Sequence, residues 1–120
     1  MSGIIGSQFK RSGVIGRSLD TAKAWINFDG DSLGAARNSY NVRSIADNGV
    51  GKYTVNFIAA MPNINYISVG MAGENNTSMR VVSQNRAFGA PTVGGCPFQT
   101  CSSDGSVTDP DYVGIAIFGD

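Results

Sequence analysis

From Lys23 onward the chain alternates apolar and polar residues with a period of two, the spacing of a strand with one buried face. Ala24, Ile26 and Phe28 fall on one side of the first candidate strand and Lys23, Trp25 and Asn27 on the other. Asp29-Gly30 marks a turn, a second strand is expected over Leu33 to Asn38, and a third over Ser39 to Ala46. Asp47-Asn48-Gly49 then carries the strongest short hairpin signal, because a type I′ turn needs positive φ at residues that tolerate it. The strand it delivers, Lys52 to Phe57, alternates cleanly, with Tyr53, Val55 and Phe57 facing one way. Met61-Pro62-Asn63 punctuates the chain before a strand over Tyr66 to Met71, in which Ile67, Val69 and Met71 face together. Shorter strands are expected at Met79 to Ser83 and Phe98 to Ser102, separated by a loop, Ala87 to Gly95, rich in Gly, Ala and Pro.

The last strand, Tyr112 to Phe118, breaks the alternation. Val113, Ile115 and Ile117 line one face, and Tyr112, Gly114, Ala116 and Phe118 make the other apolar too. A strand apolar on both faces is either central in a sandwich or pressed against another subunit. On that basis Val113, Ile115, Ile117 and Phe118 are the expected subunit interface. No segment keeps a helical period over about eleven residues. Strands every ten residues or so with turns between them predict an all-β fold, an antiparallel β-sandwich of jelly-roll type, with a barrel as the alternative.

The first twenty residues have a different pattern. Ser2-Gly3-Ile4-Ile5-Gly6-Ser7 returns ten residues later as Ser12-Gly13-Val14-Ile15-Gly16-Arg17. Two apolar residues between glycines make no core of their own, so Ile4, Ile5, Val14 and Ile15 need another surface to cover them. The expected organisation is therefore an N-terminal arm over residues 1–21, extended and docking on an assembly, followed by one β-domain over residues 22–120. A frayed terminus is the plainer alternative.

Composition narrows the function classes. One hundred and twenty residues suffice for one core, and 42% apolar against 15% charged residues suits strands. Nine basic and nine acidic residues cancel without a run of either sign, so no footprint for nucleic acid or an anionic membrane is present. No apolar run reaches the length of a membrane span, and the first residues lack the charged head and apolar stretch of a secretory signal, so cytoplasmic synthesis is expected.

With no histidine, catalysis would have to rest on carboxylates or thiols. Asp29 with Asp31 and Asp109 with Asp111 are the carboxylate pairs. Each flanks a glycine or proline in a turn, where aspartate serves local backbone hydrogen bonding, and neither has the spacing of a calcium loop. Cys96 and Cys101 are expected as reduced thiols in or near a strand, since a zinc site would need two further ligands and Cys96 has no histidine to activate it. No catalytic, cofactor or metal site is expected. Trp25 on the polar face of its strand suits stacking on a sugar or filling an interface, the commoner use being core.

The blocks Ala24-Trp25-Ile26-Asn27-Phe28-Asp29-Gly30, Arg37-Asn38-Ser39-Tyr40-Asn41-Val42, Ser44-Ile45-Ala46-Asp47-Asn48-Gly49, Gly51-Lys52-Tyr53-Thr54-Val55-Asn56-Phe57 and Ala60-Met61-Pro62 occur in this order. Together with the closing Tyr112 to Gly119 they resemble a β-domain found at the C-terminal ends of bacteriophage tail fibres. The resemblance implies a virion protein, a homotrimer that meets other virion proteins of capsid or tail and touches a host-surface glycan or outer-membrane receptor. The family carries a long shaft before this domain, where here a twenty-residue arm is the expected lead-in. A fibre tip, a short capsid-bound fibre and a decoration or cement protein without receptor binding are the placements this leaves.

Overall fold

The computed structural model describes residues 21–119 apart from 34 and 35. Ile4, Ile5, Val14 and Ile15, the expected arm contacts, lie outside the described residues. The described chain is all-β, without a helix: β1 Ala22–Phe28, β2 Asn38–Tyr40, β3 Val42–Gly49, β4 Lys52–Phe57, β5 Ile67–Gly73, β6 Arg80–Ser83, β7 Gly95–Ser102 and β8 Tyr112–Phe118. Every ladder is antiparallel and the order is β2-β1-β8-β5-β6-β7-β4-β3.

Two sheets were expected from the pattern; the strands instead form one continuous sheet curled nearly into a barrel. Short β6 makes the difference, pairing Arg80 with Ala72 on one side and Arg80 to Ser83 with Ser102 to Gln99 on the other. The two sheet edges, β2 and β3, are neighbours in sequence, joined at Asn41. Asn41 has φ 56°, a conformation that asparagine tolerates better than most residues. Its side chain donates to the carbonyls of Lys23 and Ala59 (3.0 and 3.1 Å) and accepts from the Ala59 N–H at 2.7 Å, pinning the corner where the edges meet. The expected third strand, Ser39 to Ala46, is therefore broken at Asn41, and the strand expected over Leu33 to Asn38 begins only at Asn38. Leu33 and Ala36 instead pack against the core from the β1–β2 connection.

The core lies inside the curl. Ala24, Ile26 and Phe28 of β1, Tyr53, Val55 and Phe57 of β4, Cys96 and Phe98 of β7 and Val113, Ile115 and Ile117 of β8 are all buried. Rings from opposite walls meet edge to face: Phe28 stands 5.2 Å from Tyr53 and 6.2 Å from Phe98, between ring centroids. This corrects the interface expected on β8. Val113, Ile115 and Ile117 are the protein's own core, because β8 is a central strand between β1 and β5; Phe118, half-buried, is on the outer side.

The β3–β4 hairpin turns two residues later than expected, through Val50 and Gly51, with positive φ at Gly49 and Gly51. Gly51 closes a tight junction. Its N–H donates to Asp109 Oδ1 at 2.7 Å, its carbonyl accepts from Thr100 N–H at 2.8 Å, and a Cβ there would stand 2.5 Å from the Thr100 carbonyl oxygen. Both the left-handed φ and the clash oppose a side chain, so Gly51→Ala should cost about 3 kcal/mol. A lower urea midpoint at unchanged slope would show it.

Candidate functional site

The outward side chains of the central strands build an unusual surface. Register places Tyr40, Trp25 and Ala116 in one row, continued by Val69, and Asn38, Asn27 and Gly114 in the next, continued by Met71. Ile67 pairs with Phe118 on the same outer side. None of the outward residues of β1, β8 and β5 from Trp25 to Asn27, Tyr112 to Phe118 and Ile67 to Gly73 is charged. Met71 is 75% exposed, Ile67 61% and Val69 50%, and Trp25, Tyr40, Tyr112 and Val81 are exposed around them. Exposed apolar side chains on an uncharged surface of this kind mark interaction sites.

A furrow runs along this face. Gly114 and Ala116 form its floor because their small side chains leave β8 low between β1 and β5. Met71 and Val69 wall one side, while Asn27 and Tyr112 close one end. Two adjoining hollows of about 370 and 380 Å³ result, sharing Met71 and Gly114. On β5 the larger apolar set faces out. The inward positions are Ser68, Gly70 and Ala72, and at Gly70 a Cβ would come 2.9 Å from Val82 Cγ1 and 3.0 Å from the Gly114 carbonyl oxygen. At Gly70 the inside of the curl leaves no space for a Cβ, while register with β8 places Ile67, Val69 and Met71 on the outer face.

The residues singled out for chemistry are dispersed into structural work. Asp29 accepts from the N–H groups of Asp31 and Ser32 in its own turn. Asp109 receives Gly51 N–H and the Tyr53 hydroxyl, at 2.8 Å for the latter, and Asp111 faces the amide and side chain of Asn75 at 3.3 Å. Arg37 gathers these loops, donating to the carbonyls of Phe28 and Asp111 (2.7 Å each) while its guanidinium lies 4.6 Å from the centre of the Tyr112 ring. The turn reading, local backbone bonding, matches Asp29; Asp109 and Asp111 instead bond to segments distant in sequence, tying loops together. Cys96 and Cys101 are free, and five residues apart on β7 they project to opposite faces, so they do not bridge each other. Burial pushes the Cys96 thiol up, leaving it a poor nucleophile. Among the described residues no group of His, Cys, Asp or Glu is placed to hold a metal ion.

The two ends of the barrel differ in charge. All seven acidic residues among the described ones, Asp29, Asp31, Asp47, Glu74, Asp104, Asp109 and Asp111, lie at the end carrying the β1–β2, β3–β4, β5–β6 and β7–β8 connections. Residue 21 enters the sheet at the opposite end, beside Phe118, where Lys23, Arg43 and Arg86 stand. The net neutrality of the chain conceals this polarity.

Comparison with family models, with curated proteins and with solved structures finds no match to this chain.

Proposed function

We propose that this chain is a structural and binding module of a bacteriophage virion: a short fibre or tail-fibre-like adhesin, homotrimeric, fixed to the particle through residues 1–21 and contributing to attachment at the host surface. The observation that supports an assembling role is the uncharged outer face of β8, β5 and the Trp25–Asn27 part of β1, with Met71, Ile67 and Val69 half or more exposed. Water-exposed apolar surface of this extent is covered in most functional states, and copies of the same chain are the nearest supply. The virion placement is supported by the resemblance of residues 22–120 to phage fibre domains.

Polarity supports the arrangement. Thr21 enters the sheet at the end opposite the seven carboxylates of the described residues, so a copy anchored through the preceding segment presents its acidic, loop-rich end outward. Copies packed side by side through their outer faces would send every arm in one direction, as attachment to a single site on a particle requires.

Deleting residues 1–20 should leave a folded, still self-associating domain that no longer enters particles. Gold-labelled antibody against the protein should decorate particles carrying the full chain, at capsid or tail, and miss those made with the deletion. Equal labelling of both would remove the anchoring role. Labelled particles whose protein has no affinity for host cells would point to the alternative, a decoration or cement protein.

A further inference from the structure

The outer surface of the other half of the sheet is polar and carries a second groove. We infer that this groove, between the β6–β7 connection and the outward side of β4 and β7, is a binding site for a neutral saccharide. The inference deepens the attachment role proposed above and rests on it for its biological use; its binding test is made on the isolated chain and does not depend on a particle.

The groove has a volume of about 510 Å³, within the ~300–1,000 Å³ of small-molecule sites. Thr54 and Asn56 of β4 and Asn48 of β3 supply its hydrogen-bonding side chains, and Phe88 supplies an aromatic ring. Gly89, Gly94 and Gly95 keep the backbone low where a ligand would lie. Internal bonds use only part of the polar capacity. Thr54 donates to Asn48 Oδ1 at 2.8 Å and Asn56 Nδ2 donates to Ser44 Oγ at 3.2 Å. The Asn48 amide nitrogen and the Asn56 amide oxygen remain open to a ligand, one a donor and the other an acceptor.

The loop that forms the other wall is held in place before any ligand arrives. Gln84 donates to the Pro97 carbonyl at 2.9 Å, Asn85 reaches Gln99 Oε1 at 3.2 Å, and the Phe88 and Gly89 N–H groups return to the Asn85 carbonyl. At its far end Thr92 and Gly95 bond each other, and the Tyr66 hydroxyl lies 2.9 and 2.8 Å from their carbonyl oxygens. A wall fixed in this way costs a ligand little ordering entropy.

The chemistry of the lining selects the ligand class. None of the residues lining the groove is charged, and the nearby Lys52 ammonium stands 5.9 Å from the Phe88 ring centre, so the lining offers no paired cations for a phosphate or a carboxylate. Strands β4 and β7 are paired on both sides, so a peptide finds no free backbone edge to join. Amides and hydroxyls beside an aromatic ring fit vicinal hydroxyls and the C–H face of a sugar.

Titration of ¹⁵N-labelled full chain with glucose, galactose, N-acetylglucosamine and maltotriose, each to about 50 mM to reach weak affinities, decides the matter. At least one should shift the amides of Thr54, Asn56, Gly89, Gly94 and Gly95 in a saturable way. Asn56→Ala and Phe88→Ala should each weaken that binding about tenfold or more. Ala90→Arg, in the exposed loop, should block it without touching the sheet. Trp25→Ala on the opposite surface should bind as the native chain does. No saturable shift with any sugar, shifts centred on Trp25, or binding unaltered in Asn56→Ala and Ala90→Arg would overturn the inference. None of those results bears on self-association through the apolar face.

Discussion

Lysine at both Val69 and Met71 should hold the protein monomeric at micromolar concentrations at which the native chain is associated. Both positions lie on the outer side of β5, half or more exposed, over the furrow floored by Gly114 and Ala116. In an isolated chain each ammonium can reach water, so the fold should lose little, within the ~0.5 kcal/mol typical of surface changes at each site. In an assembly that covers this face, two unpaired charges would be buried against apolar side chains, a penalty of several kcal/mol for each. At about 1.4 kcal/mol for each factor of ten, dissociation constants should rise by several orders of magnitude. Light scattering coupled to size exclusion would show a change of mass, and an unchanged thermal unfolding profile of the monomer would show that the fold survives. Native protein that stays monomeric up to about 100 μM would remove self-association through this face from the proposal.

The same substitution at Ile115 would have the opposite outcome, loss of the fold, and the contrast marks where the sequence was readable. Tyr53, Val55 and Phe57 on β4 and Ala24, Ile26 and Phe28 on β1 are inward as their alternation predicts, because each of these strands has polar or exposed residues on the other side. On β8 and β5 alternation alone does not choose a side. Both faces of β8 are apolar, and the distinction between core (Val113, Ile115, Ile117) and outer floor (Gly114, Ala116) follows from its central place between β1 and β5. On β5 register with β8 puts the small set, Ser68, Gly70 and Ala72, inside and the larger set outside, and at Gly70 a side chain would meet Val82 and the β8 backbone. Size, not hydrophobicity, separates the two faces of that strand, and size becomes informative only once the curvature of the sheet is known.

Curvature was illegible for a related reason. The sheet bends back on itself at one asparagine, Asn41, whose positive φ and three side-chain bonds join edges lying far apart along the hydrogen-bonded order. A lone asparagine between two polar-apolar runs carries no mark of that role. The polar groove is assembled from Asn48, Asn56, Phe88 and Gly95, spread over about half the described chain, and depends on where the β6–β7 loop lies down. Composition identified that loop as irregular; its hydrogen bonds to β7 show what it walls.

Two buried phenols should give the protein a sharp alkaline limit. The Tyr53 hydroxyl lies 2.8 Å from Asp109 Oδ1 and 2.9 Å from the Gly30 carbonyl oxygen, and burial, followed by the bond to and charge of Asp109, raises its pKa far above the ordinary tyrosine value. Tyr66 is raised in the same way, chiefly by burial and then by the neighbouring Cys96 thiol, with its proton directed at the Thr92 and Gly95 carbonyls. Both groups are needed as neutral donors, Tyr53 joining β4 to the acidic loop end and Tyr66 fixing the wall of the polar groove. Below the unfolded-state value near 10 each contributes its full stabilisation. Above it the unfolded chain releases protons that the folded chain retains, so stability falls with rising pH by up to ~1.4 kcal/mol per pH unit for each tyrosine. The buried Cys96 thiol adds a fall of the same sign that begins earlier, near the ordinary thiol value of about 8.5. Urea midpoints between about pH 8 and 11.5 should therefore drop with increasing steepness. Tyr66→Phe and Tyr53→Phe should each start lower, by the ~1–3 kcal/mol of acceptors left without a donor, and then decline less steeply above pH 10. Parallel curves for the native chain and both variants would show that neither phenol sets the limit, and would place the alkaline weakness elsewhere in the fold.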